Sequence, residues 1–165
     1  MTDNFVIRPM ADSQADIDAY VTMANELNLL HDKPGDLYCA DKVRDWVFGP
    51  RPAFSCLLAC CGDRPVGYAT FSDFFNSDAA GRGLWLGDLY VRPAHQGGGL
   101  GRQLLAAVAA EAVAREAVSL WWGVLAENTG ARAFYAALEA IDEDARILEL
   151  EGTPLARLAR EFRAD

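Results

Sequence analysis

The apolar positions of this chain change period several times. Phe5-Val6-Ile7-Arg8-Pro9 is a short apolar run closed by proline, the pattern of an opening strand. Ile17, Tyr20, Val21, Ala24 and Leu27 then recur at helical spacing behind Ser13, a residue suited to cap a helix. Residues 31–35 break that pattern, and residues 41–48 predict a second, short helix stopped by Gly49-Pro50. Residues 53–61 and 66–75 read as strands joined by the turn Gly62-Asp63-Arg64-Pro65, a hairpin signal. A polar, Gly-containing loop covers 76–83, and a third strand covers 84–91. Residues 93–99 lead into a long helix over 99–116, whose Leu100, Leu104, Val108 and Ala112 form one apolar stripe. A strand over 118–125, a helix over 128–139 and a last strand over 146–150 follow. Thr153-Pro154 predicts a capped final helix with proline at its first position. The order is β, two helices, three antiparallel strands, then β-α-β-α-β, which predicts one mixed α/β domain over residues 1–165.

Composition narrows the function classes. The 165 residues suffice for one domain with a sizeable core, and 52% apolar with 24% charged residues is ordinary for a globular protein. No apolar run approaches the roughly 20 residues of a membrane span. The first residues show no basic segment followed by an apolar one, so cytoplasm is expected, with no membrane partner. A net charge of −9 argues against nucleic-acid binding, which needs clustered Lys and Arg. It suits a cationic substrate, and it equally serves solubility. Cys39, Cys56, Cys60 and Cys61 lack zinc-site spacing and read as buried reduced thiols, so no metal is expected.

The candidate chemistry begins at His95-Gln96-Gly97-Gly98-Gly99-Leu100-Gly101-Arg102, between a strand and a long helix. Glycines let a backbone approach a ligand closely, and a helix start presents unpaired N–H groups at the positive end of its dipole. Together they suit a phosphate or pyrophosphate. The spacing fails the GxGxxG dinucleotide pattern at Arg102, and the chain has no Gly-Lys pair for a P-loop. A flexible turn at a helix start is the alternative reading of the same glycines.

Gln96, Gly99 and Gly101 form Gln-x-x-Gly-x-Gly, which resembles the pyrophosphate motif of the GCN5-related N-acetyltransferases. Asn128-Thr129-Gly130-Ala131-Arg132-Ala133-Phe134-Tyr135 is similar to that family's Asn-x-x-Ala-x-x-Phe-Tyr segment, one helix and one strand downstream. The resemblance looks closest to the diamine and spermidine/spermine branch. Phe5-Val6-Ile7-Arg8-Pro9, Leu86-x-Asp88-Leu89-Tyr90-Val91, Val124-Leu125-Ala126-Glu127-Asn128 and Leu150-Glu151-Gly152 carry that likeness.

The resemblance implies a mixed, mostly antiparallel sheet flanked by helices, with a splayed cofactor-binding strand. It implies acetyl-CoA as cosubstrate. The backbone of Leu89, Tyr90 and Val91 would pair with its pantetheine arm, and the amides from Gly97, Gly98, Gly99, Leu100 and Gly101 to Arg102 would surround the pyrophosphate behind Gln96. Asn128 would approach the pantetheine end, and Tyr135 the sulfur. A homodimer is implied too, paired through C-terminal strands. Two departures stand out. Glu139-Ala140 replace the family's Gly-Phe after the tyrosine, and Gly87 replaces the glutamate that serves the polyamine branch as base.

Acetyl transfer to an amine needs a bound thioester, a neutral amine, oxyanion stabilisation and a proton for the departing thiolate. Backbone N–H groups at Leu89–Val91 can serve the oxyanion. Tyr135, a neutral phenol at pH 7, is the candidate acid. Asp88 is the acid nearest the expected reaction centre, yet residues 87 and 88 of a regular strand point to opposite faces. Base, structural partner, or bystander to a water chain are the readings open for it, and a bulge could re-aim it. His31 and Asp32 are candidate amine contacts in the loop after the first helix. The expected function is acetyl-CoA-dependent N-acetylation of a small primary amine such as a polyamine or diamine. Acetylation of a protein or peptide, and a non-catalytic acyl-CoA binding module, are the alternatives.

Overall fold

The computed structural model describes residues 5–161. Packing divides the chain at Trp122 and Gly123 into two units, taken here in turn.

In the first unit, β1 (Phe5–Pro9), β2 (Ser55–Cys61), β3 (Arg64–Asn76), β4 (Gly81–Val91) and β5 (Ser119–Trp121) form one sheet in sequence order. All neighbours are antiparallel except β4 and β5, which are parallel. Helix α1 (Gln14–Leu30) begins where its spacing predicts, with Ser13 Oγ accepting from the Asp16 N–H at 3.3 Å. Its Ile17, Tyr20, Met23 and Ala24 pack with Val43 of α2 (Ala40–Phe48) against Cys56, Leu58, Cys60, Tyr68 and Tyr90. Helix α3 (Leu100–Ala114) covers the other face. A Cβ built on Gly67, one residue before Tyr68, would lie 3.4 Å from Leu104. The expected stripe Leu100, Leu104, Val108 and Ala112 is buried throughout.

The sheet has two irregularities. One shifts the β2–β3 register after Ala59; the other lies in β4. Pairing of β4 with β5 stops at Trp85 and Trp121, although β4 continues to Val91. Among the described residues, no strand pairs with β4 on that side beyond Trp85. The expected strand over 118–125 is therefore only three residues long. Trp121 packs its ring 5.4 Å from that of Phe74 and keeps one face to solvent.

The second unit holds α4 (Thr129–Ala136) and α5 (Gly152–Ala159). The expected strand over 146–150 does not form. This unit contains no other strand among its described residues, and a lone strand leaves its backbone groups unpaired. Ile147, Leu148 and Leu150 are exposed accordingly. Helix α5 starts two residues earlier than expected. Glu151 is its N-cap, Thr153 makes no cap, and Pro154 falls in the first turn, where a missing N–H costs little.

The thiols also differ from expectation in part. All four cysteines are free, and Cys56 and Cys60 are buried, which pushes both thiols up from their usual range. Cys61 is half-buried, and Cys39 is exposed because it caps α2 at the surface. Among the described residues no helix is long and apolar enough to cross a membrane.

Candidate active site

The glycine loop closes the turn between β4 and α3. After the single turn Pro93–His95, Gln96 is extended, and Gly97 and Gly99 take φ of +81° and +84°. These left-handed values suit glycine, which has no Cβ to collide with the following carbonyl. Gly99 is the N-cap of α3, so no side chain caps the first amides of that helix. A Cβ added at Gly97, Gly98, Gly99 or Gly101 would meet nothing within 4 Å. The loop is thus an open backbone cradle in front of a helix start, and it fits a pyrophosphate. Leu100 is buried and anchors the helix, while Arg102 is exposed beside the cradle. The Gln96 side chain turns inward, and its Nε2 donates to Val91 O at 2.7 Å. His95 packs its ring edge-on to Phe5, 6.0 Å away, as a flanking residue.

Leu89, Tyr90 and Val91 pair with Ala69, Tyr68 and Gly67 on one side, and among the described residues no strand pairs with them on the opposite edge. The Tyr90 side chain is structural. Its Oη donates to Glu26 Oε2 at 3.0 Å, and Arg92 clamps the same carboxylate through Nε at 3.1 Å and Nη2 at 3.0 Å. This fork fixes the end of β4 to α1.

The β4 irregularity lies at Asp88. Ala69 pairs with Leu89 and Phe71 with Leu86, so Thr70 alone opposes both Gly87 and Asp88. This is a β-bulge, and it resolves the conflict that strict alternation poses. Asp88 is half-buried among groups on the α1 side of the sheet. Burial raises its carboxyl above the ordinary range, while the charge of nearby His31 draws it back. Tyr20, Tyr38 and Cys56 feel its charge in turn. Tyr68 Oη is buried and completes no hydrogen bond among the described residues. The result is one carboxylate with a raised proton affinity at the end of a tyrosine-lined core, and His31 at its exposed rim. Asp32, also exposed, takes φ of +56° as the chain leaves α1, and no described contact joins it to Asp88.

In the second unit, Asn128 Oδ1 accepts from the Ala131 N–H at 3.1 Å and caps α4, which leaves its amide nitrogen to donate elsewhere. Tyr135 is half-buried beside Phe134, ring centroids 5.2 Å apart. Burial raises its phenol, which therefore stays protonated. Glu139, where the family commonly has glycine, adopts φ of +59°. Ala140 N–H donates to Tyr135 O at 3.2 Å and Glu139 N–H to Ala136 O at 3.0 Å, so the helix exit keeps the shape that glycine usually provides.

Thr70, Tyr68, Tyr38, Glu26 and Arg92 also shape this region and lie outside every motif of the chain. A signal was present for two of them: Tyr68 and Thr70 stand two apart on one strand, and therefore on one face. Nothing local marked Glu26 as the partner of Tyr90 and Arg92, 64 and 66 residues away.

The chain is similar to known proteins in sequence and in fold. The profile of the acetyltransferase (GNAT) family matches residues 20–139. A human spermidine/spermine N(1)-acetyltransferase-like protein 1 is 31% identical over 134 residues, which cover 76% of this chain and 18% of that longer protein. A thialysine N-epsilon-acetyltransferase of Bos taurus is 32% identical over 124 residues, covering 68% of this chain and 72% of the relative. In fold, an integron cassette protein from the mobile metagenome of V. cholerae superposes with a TM-score of 0.77 at 22% identity, over 94% of this chain and 98% of the other. With the family profile spanning both motifs and the intervening elements, this chain belongs to the acetyltransferase (GNAT) family and is an N-acetyltransferase.

Proposed function

We propose that the protein transfers the acetyl group of acetyl-CoA to a primary amine of a small molecule such as a polyamine or diamine. One observation carries the acceptor side: Asp88, re-aimed by the bulge, is a half-buried carboxylate whose proton affinity burial has raised. Such a group attracts an ammonium ion and can take its proton. The names of the sequence relatives, a spermidine/spermine-like and a thialysine acetyltransferase, favour an aliphatic amine.

Acetyl-CoA supplies the activated acetyl group as a thioester. In this reading the amides of Gly97, Gly98, Gly99, Leu100, Gly101 and Arg102 hold its pyrophosphate, and Gln96 keeps that loop against β4. The backbone of Leu89, Tyr90 and Val91 pairs with the pantetheine arm along the open edge and offers an N–H to the thioester oxygen. Asn128 contacts the same arm through its side-chain amide. His31 and Asp32 line the acceptor entrance. Asp88 accepts a proton from the ammonium; the neutral nitrogen bonds to the acetyl carbon as the C–S bond breaks. The Tyr135 hydroxyl gives its proton to the leaving sulfur, the second proton shed by the newly bonded nitrogen restores the phenol, and Asp88 returns the first to solvent. Residues 1–165 are one acetyltransferase domain in this reading, in a cytoplasmic homodimer that needs no metal.

The test is release of free thiol from acetyl-CoA against a panel of amines, peptides and protein N-termini. Turnover on small aliphatic amines supports the reading. Turnover confined to peptides moves the acceptor class to proteins, and binding without turnover on any acceptor reduces the protein to an acyl-CoA binding module.

A further inference from the structure

Gly87 and Thr70 meet across the bulge. At the bulge, where two residues of β4 oppose one of β3, the Asp88 N–H donates to Thr70 Oγ1 at 2.9 Å. Thr70 is buried, 5% exposed, between the buried apolar residues Ala69 and Phe71. A Cβ on Gly87 would lie 2.8 Å from that same Oγ1, closer than such contacts occur. The hydroxyl thus fills the place that a side chain at position 87 would take.

We propose that Thr70 is the positioning residue of the acceptor site: its hydroxyl holds the bulge that presents Asp88, and Gly87 stays without a side chain to make room for it. The inference rests on Asp88 serving the amine as base. It explains the missing glutamate. A chain with Glu at position 87 must displace the hydroxyl at position 70; this chain keeps the hydroxyl and works with one carboxylate.

Thr70→Val keeps the branched shape and removes the acceptor, and Thr70→Ser keeps the acceptor. With the best amine of the panel, Thr70→Val should lower kcat by about tenfold or more, inside the roughly 100-fold that a 1 Å misplacement can cost. The KM for acetyl-CoA should stay unchanged. Thr70→Ser should restore most of the turnover.

A second readout needs no catalysis. The titration of the Asp88 carboxyl, followed by carbon NMR in the protein without ligand, should move in Thr70→Val and return in Thr70→Ser. The titratable groups that face Asp88 are Tyr20 from α1, His31 at the C-cap of that helix, Tyr38 from the loop after it, Cys56 from β2 and Tyr68 from β3. None of them is altered in either variant. Should Thr70→Val fail to fold, Gly87→Ala makes the same test by pushing Oγ1 away, and it should show the same loss and the same moved titration.

Asp88→Asn separates the two layers. Loss of turnover in Asp88→Asn with parental kcat and titration in Thr70→Val overturns the positioning role alone. Parental turnover in Asp88→Asn overturns the reading of Asp88 as base, and the role of Thr70 falls with it.

Discussion

The side-chain amide of Gln96 donates to Val91 O at 2.7 Å, a bond that spans the turn between β4 and the glycine loop. The first residue of the motif therefore faces the protein, and its work is to fix where the cradle sits relative to the strand edge. Gln96→Ala leaves one strand-end carbonyl without this donor. Losing such a bond costs about 1 kcal/mol, so affinity for CoA should fall about fivefold to tenfold by calorimetry. An unchanged Kd would mean that the loop holds its shape without Gln96.

Gly99 combines φ of +84° with open space above it. Valine there faces no neighbour but a forbidden backbone region, a strain of about 1–3 kcal/mol that the loop relieves by moving. Gly99→Val should keep its far-UV circular dichroism and lose CoA affinity by tenfold or more. A folded variant with parental affinity would rule the loop out as the main anchor.

Glu139 occupies the left-handed position at the exit of α4. A residue with a Cβ pays a penalty there that glycine escapes. Glu139→Gly should stabilise the protein by about 0.5–1 kcal/mol in urea denaturation, despite the greater entropy of the glycine chain when unfolded. A destabilised variant would show that the Glu139 side chain makes a stronger contribution than its backbone strain removes.

That exit shows what could be read from the chain and what could not. Local signals were sufficient where one residue decides: Ser13 at the start of α1, the stripe Leu100, Leu104, Val108 and Ala112 on α3, and glycines at the head of that helix. They misled where the outcome depends on a partner. Residues 146–150 alternate like a strand, but alternation supplies no neighbour to pair with, and they stay irregular and exposed. The bulge was equally hidden. Which β4 residue lacks a partner is a fact about β3 register, set by Ala69 and Phe71 rather than by Gly87 or Asp88 themselves.

Asp16 gives a prediction of pH dependence. Arg8 holds its carboxyl below the ordinary value of 3.8, helped by the Ala11 N–H at 2.8 Å. A carboxyl with a depressed folded pKa stabilises fully above its unfolded pKa, and that stability is lost as pH falls toward the folded value. Wild type should therefore lose stability between about pH 5 and pH 2 more steeply than Asp16→Asn. Asp88, raised by burial, contributes with the opposite sign above 3.8 in both proteins and cancels from the comparison. Near pH 7 the variant should be weaker by about 2 kcal/mol, less than for a fully buried pair because Arg8 stays partly hydrated. Parallel denaturation curves across this range would remove Asp16 as the source.

Tyr135 carries the sharpest test of the reaction itself. It is half-buried beside Phe134, and burial keeps the phenol protonated well past neutral pH. A protonated phenol near a departing thiolate can act as its acid, and a ring in that place can equally be packing. Phenylalanine separates the two, since it keeps the ring and removes only the hydroxyl. General acid catalysis contributes about 10²–10⁴-fold, so Tyr135→Phe should lose kcat within that range. The amine KM should change little, as expected for an interaction made mainly in the transition state. CoA affinity and the thermal midpoint should stay close to the parent. A packing role gives the reverse pattern: near-parental turnover with a small change in stability. Steady-state kinetics on the best amine, run beside thermal melts of both proteins, decides between them. Turnover within about twofold of the parent is far too small a loss for a general acid, and it would assign protonation of the sulfur to water or to another group.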